Sequence, residues 1–265
     1  MQKLVSFFLL SVILLLLLAA CGSKSEPDDA KAEFDLVEPG YLTIVSSGGF
    51  IPFTDMKDGE MVGYDIDVGR EIANILGLEP KFVKAEFSGM ITGIQTGRYD
   101  IAINSHTITE ERKEQVNFTH PYYYSGSMIF SPPGSDIETV EDLKGKTVAL
   151  NRSSNYYKEA QAYTDKFAFY DDDLRALQAV AEGHGDAGIN DAISGQTAIE
   201  HGLKLEARQQ FSSTEQAIPI HKEKEKLLEA VNKAMDELRE NGKLKELSIK
   251  WIGFDVTEPP EDIAE

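Results

Sequence analysis

Short apolar segments alternate with amphipathic helical patterns along most of this chain, and this alternation constrains the fold more than any other feature. Residues 41–45 predict a strand, and residues 65–76 predict a helix with Asp65 as its N-cap and Gly77 at its end. Further strands are predicted at 81–83, 99–103, 147–150, 167–170 and 187–189, and further helices from Ser88 to Gly97 and at 155–163, 174–183 and 223–241. This order predicts an α/β protein with mainly parallel sheets.

The alternation divides in two near the middle of the chain. Residues 131–135, with two prolines and a glycine, interrupt it, and a second set of elements begins at about residue 139. Each set alone makes a small α/β unit, and ligand sites in such sheets form beyond the carboxyl ends of the strands. Two such units facing each other predict a cleft that holds a small molecule.

The N-terminal segment predicts processing rather than fold. Residues 7–20 are apolar except for Ser11, a run too short to span a bilayer comfortably but typical of a signal peptide, which we place at residues 1–20. It ends in Leu-Ala-Ala followed by Cys21, which resembles the lipobox of bacterial lipoproteins and implies that Cys21 carries the lipid anchor. The alternative is a plain signal peptide with an incidental cysteine. The polar residues 21–39 predict a flexible tether.

Charge and residue counts exclude several classes of function. With 26 basic and 45 acidic residues the formal net charge is −19, which repels nucleic acid and anionic lipid headgroups. Any membrane attachment must therefore be covalent or hydrophobic. The five histidines show no helical pairing and Cys21 is the only cysteine, so we expect no metal site. No glycine-rich phosphate loop follows a strand, and we expect no other cofactor.

Several short motifs occur in a characteristic order across residues 42–251. They are Phe50-Ile51-Pro52-Phe53, Gly63-Tyr64-Asp65-Ile66-Asp67, Gly97-Arg98-Tyr99-Asp100-Ile101, Thr107-Ile108-Thr109-Glu110-Glu111-Arg112, Phe118-Thr119-His120-Pro121-Tyr122, Glu141-Asp142-Leu143-Lys144-Gly145-Lys146, Gly185-Asp186-Ala187 and Lys250-Trp251-Ile252-Gly253. Together they resemble the family 3 solute-binding proteins of polar amino-acid ABC importers.

The resemblance implies an α/β, two-lobed, periplasmic-binding-protein-like (type II) fold with a central ligand cleft and two hinge crossings. Lobe 1 would comprise residues 40–126 plus 217–257, and lobe 2 residues 128–215, with an acidic tail at 258–265.

Arg112 is the predicted carboxylate-binding residue. The segment ending in Arg112 follows a strand and opens a helix, where backbone N–H groups and the helix dipole favour an anion. The guanidinium adds a planar fork that holds a carboxylate through two hydrogen bonds, and the hydroxyl of Thr107 can add another. On its own, an arginine in a first helical turn is usually a solvated surface residue, and only the resemblance reverses that interpretation.

The resemblance also implies partners for the remaining groups of an amino acid. Asp191 matches the ammonium-binding aspartate, although it can equally cap the helix that begins at residue 192. Ser105 shares that ammonium role in the family. Ser154 and Asn155 open a lobe 2 helix whose backbone N–H groups face the carboxylate.

Four residues are expected around the ligand's side chain. Phe50 and Phe87 match positions that sandwich it, although each alone would be interpreted as core. Ser47 lies where many relatives carry an acidic residue, which disfavours a lysine or arginine ligand. Tyr156, within the sequence Ser-Asn-Tyr, is similar to the cystine-binding subgroup, so cystine or another uncharged polar amino acid is the expected ligand.

The predicted function is that of a monomeric, non-enzymatic receptor on the extracytoplasmic face of the cell membrane. It would capture a free amino acid and deliver it to an ABC permease and its ATPase subunits, while anchored through Cys21. Two alternatives remain open: a dehydratase-type enzyme on the same fold, which would need a proton donor in the cleft, and a sensor that presents its ligand to a receptor.

Overall fold

The structure is a computed structural model, and it describes residues 34–260. The predicted signal peptide, the predicted lipidation site Cys21, residues 21–33 of the predicted tether and the last five residues of the acidic tail lie outside the described residues. The described residues form two lobes, each built around a five-stranded sheet.

In the sheet of lobe 1 four strands run in one direction and one strand, β14 (Pro219–Ile220), runs against them. In the order β4-β1-β5-β14-β6, its strands are Glu79–Lys84, Tyr41–Ser46, Ile101–Ala102, Pro219–Ile220 and Asn117–Phe118. β1 pairs in parallel with β4 and β5, whereas β14 runs antiparallel to β5 and β6. A small hairpin of β2 (Asp55–Lys57) and β3 (Glu60–Val62) precedes the first helix.

Helices cover both faces of this sheet because successive residues of β1 point to opposite sides. Leu42 and Ile44 share one apolar cluster with residues of helices α1 (Tyr64–Ile75), α7 (Glu225–Glu240) and α8 (Lys243–Ile252). Val45 packs on the other face with Met90 and Ile94 of α2 (Phe87–Gln95). The short α3 (Glu110–Gln115) follows β5 along the chain.

Lobe 2 repeats this arrangement with different strands. In the order β10-β9-β11-β8-β12, its strands are Lys166–Tyr170, Thr147–Asn151, Ala187–Asp191, Ser127–Ser131 and Glu206–Gln210. β10, β9 and β11 are parallel, and β8 and β12 are antiparallel to their neighbours. Three helices, α4 (Asn155–Ala160), α5 (Asp173–Ala181) and α6 (Ala192–Glu200), pack on its faces, and a 3₁₀ turn spans Val140–Leu143.

Two short strands join the lobes. β7 (Tyr123–Ser125) leads into β8, β13 (Thr214–Gln216) leads from β12 toward β14, and the two pair with each other in antiparallel register. The chain therefore passes between the sheets twice, through segments that lie side by side.

The structure corrects three local predictions. The sheets are mixed rather than mainly parallel, because β14 and β8 each run against the other strands of their sheet. β14 has only two residues and β8 is buried along its whole length, so neither shows an alternating pattern. Asp65 does not cap α1: the helix begins at Tyr64 after Gly63, which has φ 131°. A Cβ on Gly63 would lie 2.2 Å from the carbonyl oxygen of Phe53, so only glycine fits there. Ser88 does not cap α2 either, since that helix begins at Phe87.

None of the helices within residues 34–260 is long and apolar enough to cross a membrane.

Candidate functional site

Arg112 lies at the junction of the two lobes. Its backbone N–H donates to the N-cap hydroxyl of Thr109, which fixes the start of α3. The guanidinium donates from Nη1 to the carbonyl of Thr107 at 2.9 Å and from Nη2 to the carbonyl of Ser153 in lobe 2 at 3.3 Å. Its Cζ stands 5.3 Å from the ring centroid of Phe87. Burial lowers the pKa of Arg112 from its ordinary value, so an anion would stabilise the buried charge.

Asp191 is the buried acid at the carboxyl end of β11. Its Oδ1 caps α6 by accepting from the backbone N–H groups of Ile193 at 2.9 Å and Ser194 at 3.0 Å, as the N-cap interpretation predicted. Desolvation nevertheless dominates and raises the pKa of Asp191 to about 6. A carboxylate in this state gains stability from a cation placed beside it.

Tyr156 lies within electrostatic range of both charges. Its side chain is buried, which raises its pKa well above 10; Asp191 raises this pKa further and Arg112 lowers it. Tyr156 is the second residue of α4, whose N-cap is Ser154. The Ser154 hydroxyl donates back to the carbonyl of Asn151 at 2.7 Å, and the amide of Asn155 donates to Glu159 one turn later at 2.6 Å. The side chains of Ser154 and Asn155 thus bond within lobe 2, and the Ser154 side chain does not cap the first backbone N–H groups of α4.

Ser105 is held in an unusual conformation by a buried acid. It has φ 52°, its N–H donates to the hydroxyl of Tyr122, and its own hydroxyl donates to Asp65 Oδ2 at 3.0 Å. Asp65 also accepts from the Tyr122 hydroxyl at 2.8 Å, and burial raises the pKa of Asp65 to about 7. Ser105 therefore keeps its oxygen lone pairs as acceptors while its proton is directed at Asp65.

The predicted aromatic pair is split between the core and the cleft. Phe50 is only 8% exposed and stacks on Phe53 at 5.5 Å, within the lobe 1 core. Phe87 is half-buried and stacks on His106 with ring centroids 4.7 Å apart. Both ring nitrogens of His106 are buried without a hydrogen-bond partner among the residues described. Burial, with a smaller contribution from Arg112, holds the pKa of His106 well below 6.5, so its imidazole is neutral.

The lobes are in contact across the cleft. Besides the Arg112–Ser153 bond, Lys158 Nζ of lobe 2 lies 3.8 Å from Glu111 Oε2 of lobe 1. Ile193 of lobe 2 also belongs to the same apolar cluster as Phe50 of lobe 1. An open cavity of about 770 Å³ remains where the lobes meet. Among the predicted residues it is lined by Phe87, Arg112, Ser154 and Asn155.

The other predicted residues do not line this cavity. Ser47 lies in the loop after β1, where its N–H donates to Asn104 Oδ1 and its hydroxyl accepts from the N–H of Gly49. Thr107 is buried and bonds Arg112 through its carbonyl, while its hydroxyl has no bond of its own to that residue. Phe50, Tyr156 and Asp191 are buried as well.

Sequence reasoning missed the residues that position this set. Asp65 and Tyr122 both belong to recognised motifs, yet nothing in the spacing indicated that they meet at Ser105. Asn104, which orients Ser47, and His106, which supports Phe87, carried no pattern at all. Within residues 34–260 there is no group of three or more metal-ligating side chains.

The sequence matches the model of the bacterial extracellular solute-binding proteins, family 3, over residues 42–254. This chain belongs to that family. The probable amino-acid-binding protein YxeM of Bacillus subtilis is 36% identical to this solute-binding protein over 256 residues, 92% of this chain and 93% of the relative. The L-cystine-binding protein TcyJ of Escherichia coli is 30% identical over 94% of this chain and 96% of its own length.

Solved structures agree with this assignment. An ancestral arginine-binding protein bound to arginine superposes with a TM-score of 0.77 at 32% identity, covering 81% of this chain and 99% of that one. The solute-binding protein therefore has the two-lobed, type II fold of the family, and the family places it outside the cytoplasm.

Proposed function

We propose that this solute-binding protein captures a free amino acid between its lobes and delivers it to the permease of an ABC importer. The proposal is supported above all by two oppositely charged groups on facing lobes: the partly buried Arg112 in lobe 1 and the buried Asp191 in lobe 2. Neither forms an ion pair with a residue that the structure describes, and the phenol of Tyr156 lies within electrostatic range of both. An α-amino acid carries the complementary pair of charges.

The ligand's carboxylate would lie against Arg112. Each terminal nitrogen of a guanidinium has two hydrogens, so the bond from Nη1 to Thr107 leaves donors free on both arms. A carboxylate would replace the Ser153 carbonyl on Nη2 and gain the backbone N–H groups at Asn155 and beside it. The hydroxyl of Thr107 would add a further donor.

The ligand's ammonium would lie between Asp191 and Ser105. Asp191 uses Oδ1 for the α6 cap and keeps Oδ2, while Ser105 offers its hydroxyl oxygen. Both groups then accept hydrogen bonds from the ammonium. Asp65 stabilises this arrangement without touching the ligand, because it holds the Ser105 hydroxyl in place.

Cystine, or another uncharged polar amino acid, is the favoured ligand. The sequence Ser-Asn-Tyr ending at Tyr156 and the pair Asn190-Asp191 are both similar to the cystine-binding subgroup and support it, as does the 30% identity to the L-cystine-binding protein TcyJ. Ser47 removes the acidic group that many relatives place near the ligand's side chain. Phe50 and Phe87 would contact that side chain, with Phe87 held in place by His106.

Lipid anchoring through Cys21 is part of the same proposal. A receptor that serves a membrane permease gains from being confined to the membrane surface, and Cys21 follows a short apolar run. Replacing Cys21→Ser should release the protein into the soluble fraction of fractionated cells. Complete retention in the membrane fraction would refute the anchor.

The two alternative functions, a dehydratase-type enzyme and a sensor, give results that differ from those of an importer receptor. Mass spectrometry of the ligand released from the purified protein, followed by calorimetry against the twenty amino acids and cystine, should identify one or a few free amino acids. A dehydratase would convert a cyclohexadienyl acid under the same conditions, and a sensor would bind an amino acid without supporting uptake in cells. Failure of every amino acid to bind, or turnover of a substrate, would contradict the proposal.

A further inference from the structure

A pair of acidic residues at the start of α5 has no role in the zwitterion site described above. Asp172 caps the helix, its Oδ1 accepting from the N–H of Arg175 at 2.9 Å. The sequence suggests that the run 171–173 is only capping and solvation, but Asp173 is not solvated in this way. Its Oδ2 accepts from the amide of Asn151 at 3.3 Å, whereas its Oδ1 is buried and has no hydrogen-bond partner among the residues described.

A second unpartnered polar group lies on the same side of the lobe 2 sheet. The amide nitrogen of Asn190 is buried and also has no partner within the described part of the chain. A Cβ on Gly188 would lie 2.8 Å from Leu177 of α5, so the face of β11 that carries Gly188 and Asn190 is the one that packs on α5. Leu177 lies one turn after Asp173 along that helix. An unsatisfied acceptor at the start of α5 and an unsatisfied donor on the face of β11 that packs on α5 are therefore both buried.

The start of α5 faces the loop of lobe 1 that carries Ser47. Across the cleft, Asp172 Oδ2 would lie 3.4 Å from a Cβ on Gly49. Asp173 also acts on the pKa of Arg112 and of Tyr156, so its carboxyl group is within electrostatic range of the carboxylate-binding end of the site. Burial, with smaller contributions from the nearby Asp172 and Asp191, raises the pKa of Asp173 to about 7.

The charges in this region do not balance. A zwitterion uses Arg112 and Asp191, which leaves the Asp173 carboxylate buried near another carboxylate. Neither Asp172 nor Asp173 forms an ion pair with any residue between 34 and 260. A buried carboxylate without a partner is costly unless a cation reaches it or it is neutralised.

We propose that Asp173, with Asp172 beside it, binds a second cationic group at the far end of the ligand's side chain. This inference rests on the proposed function, because it assumes that the α-carboxylate and α-ammonium are held at Arg112 and Asp191. The ligand is then an amino acid with two cationic groups. Among the ligands proposed above this selects cystine, whose second α-ammonium is the second cation. The side-chain cation of arginine, a ligand that Ser47 disfavours, shares this chemistry, whereas glutamine lacks it.

Calorimetry on the purified protein can test this without any substitution. Arginine is compared with citrulline, which replaces the guanidinium by an uncharged urea of nearly the same shape, and cystine is compared with its analogue that lacks one amino group. The doubly cationic member of at least one pair should bind tenfold or more tightly than its partner, because a hydrogen bond to a buried charge is worth about that factor. The pair that shows the difference identifies the source of the cation. Equal affinities within both pairs would overturn the proposal.

Two variants then assign the effect to Asp173. Asp173→Asn keeps an oxygen for the Asn151 amide but removes the charge, so it should weaken the doubly cationic ligand about tenfold and bring the two members of its pair close together. Asp171→Asn, an exposed neighbour that changes the net charge by the same amount, should leave both affinities unchanged. An undiminished ratio in Asp173→Asn would refute the subsite.

Asp172→Asn gives a second measurement that leaves the helix intact, because asparagine caps a helix as well as aspartate does. This variant should also reduce the ratio of the affinities for the doubly cationic ligand and its singly cationic partner. These results are separate from a failure of the proposed function. That failure would appear as unchanged binding of every ligand to Arg112→Ala, or as no binding of any amino acid to the wild type.

Discussion

Asp65, Asp173 and Asp191 are three carboxyl groups that burial makes less acidic. Desolvation raises their pKa values from 3.8 to about 7, 7 and 6, respectively. For Asp65, hydrogen bonds from the hydroxyls of Tyr122 and Ser105 offset part of this increase in pKa. For Asp191, the backbone N–H groups at the N-terminus of α6 do the same. The ligand-free protein thus holds acidic groups in a setting that favours their protonated form.

These groups predict how stability depends on pH. Because each folded-state pKa lies above 3.8, the folded protein binds more protons than the unfolded chain between about pH 4 and pH 7. The stability from these protons is complete below about pH 4 and is lost as the pH rises through 6 to 7. We expect the free energy of unfolding of the ligand-free protein, measured in urea, to be lower at pH 7.5 than at pH 5.

Two variants separate this effect from the general relief of charge repulsion at low pH. Asp173→Asn should reduce the difference in unfolding free energy between pH 5 and pH 7.5 by on the order of 2–3 kcal/mol. Only the two pKa units between pH 5 and about pH 7 contribute, and each unit corresponds to about 1.4 kcal/mol. Asp171→Asn removes an exposed charge and should leave the difference as it is in the wild type. The same difference in Asp173→Asn and wild type would contradict the assignment.

Two glycines within helices give a test at the level of secondary-structure elements. Gly195 lies in α6, where a Cβ would meet the ring of Phe130 at 2.0 Å. Gly89 lies in α2, where a Cβ would meet nothing within 4 Å. Alanine has the higher helix propensity at both positions, so only packing distinguishes them.

The same substitution should therefore have opposite effects at the two positions. Gly89→Ala should stabilise the protein by up to about 1 kcal/mol. Gly195→Ala should destabilise it by about 1–3 kcal/mol, because the added methyl group forces Phe130 out of a packed core. Urea denaturation of both variants measures these changes, and a stabilised Gly195→Ala variant would show that the packing at Phe130 is described wrongly.

The elements differ in how well the sequence predicts them. Parallel strands such as β1 and β9, and helices such as α7 with its apolar residues three and four apart, follow from periodicity alone. Strands of two or three residues, such as β6, β13 and β14, are too short to show any period, and only pairing with distant segments forms them. The cap of α1 was mispredicted because Asp65 is a typical N-cap residue, but a tyrosine and a serine far along the chain hold it inside the helix.

The site could be predicted residue by residue only where a motif marks it. The motif ending in Arg112 and the position of Asp191 after a strand indicated both charged groups, and the structure places them on facing lobes. The proposed contribution of Asp173 to ligand binding could not be predicted, because an acidic run before a helix usually serves as a helix cap. Its burial depends on Asn151 and on the opposite lobe, which local sequence does not encode.

At the scale of the whole molecule, the two lobes touch through few contacts. The Arg112–Ser153 bond, the exposed Glu111–Lys158 pair, the approach of Gly49 to Asp172 and the packing of Ile193 on the lobe 1 cluster are the contacts, whereas most of the apolar residues of each lobe pack within that lobe. The paired strands β7 and β13 are the covalent connection. Such an arrangement suits a hinge, because closure costs little unless a ligand supplies further contacts.

Ligand binding should therefore shift the molecule toward the closed arrangement. Only in that arrangement can groups of both lobes reach one ligand, so the ligand binds it preferentially. Small-angle X-ray scattering should give a smaller radius of gyration at saturating ligand than without ligand. Identical scattering curves in the two conditions would argue against hinge closure.

Calorimetry of the wild type and two single variants tests directly whether a free amino acid is held as a zwitterion between Arg112 and Asp191. Arg112→Ala and Asp191→Ala should each weaken binding of the cognate amino acid by roughly a hundredfold or more, because each leaves a desolvated ligand charge without its partner. Lys113→Ala, which removes an exposed charge from the same helix, should bind as the wild type does. Wild-type affinity in Arg112→Ala, or equal binding of the ligand amidated at its carboxylate, would contradict the account.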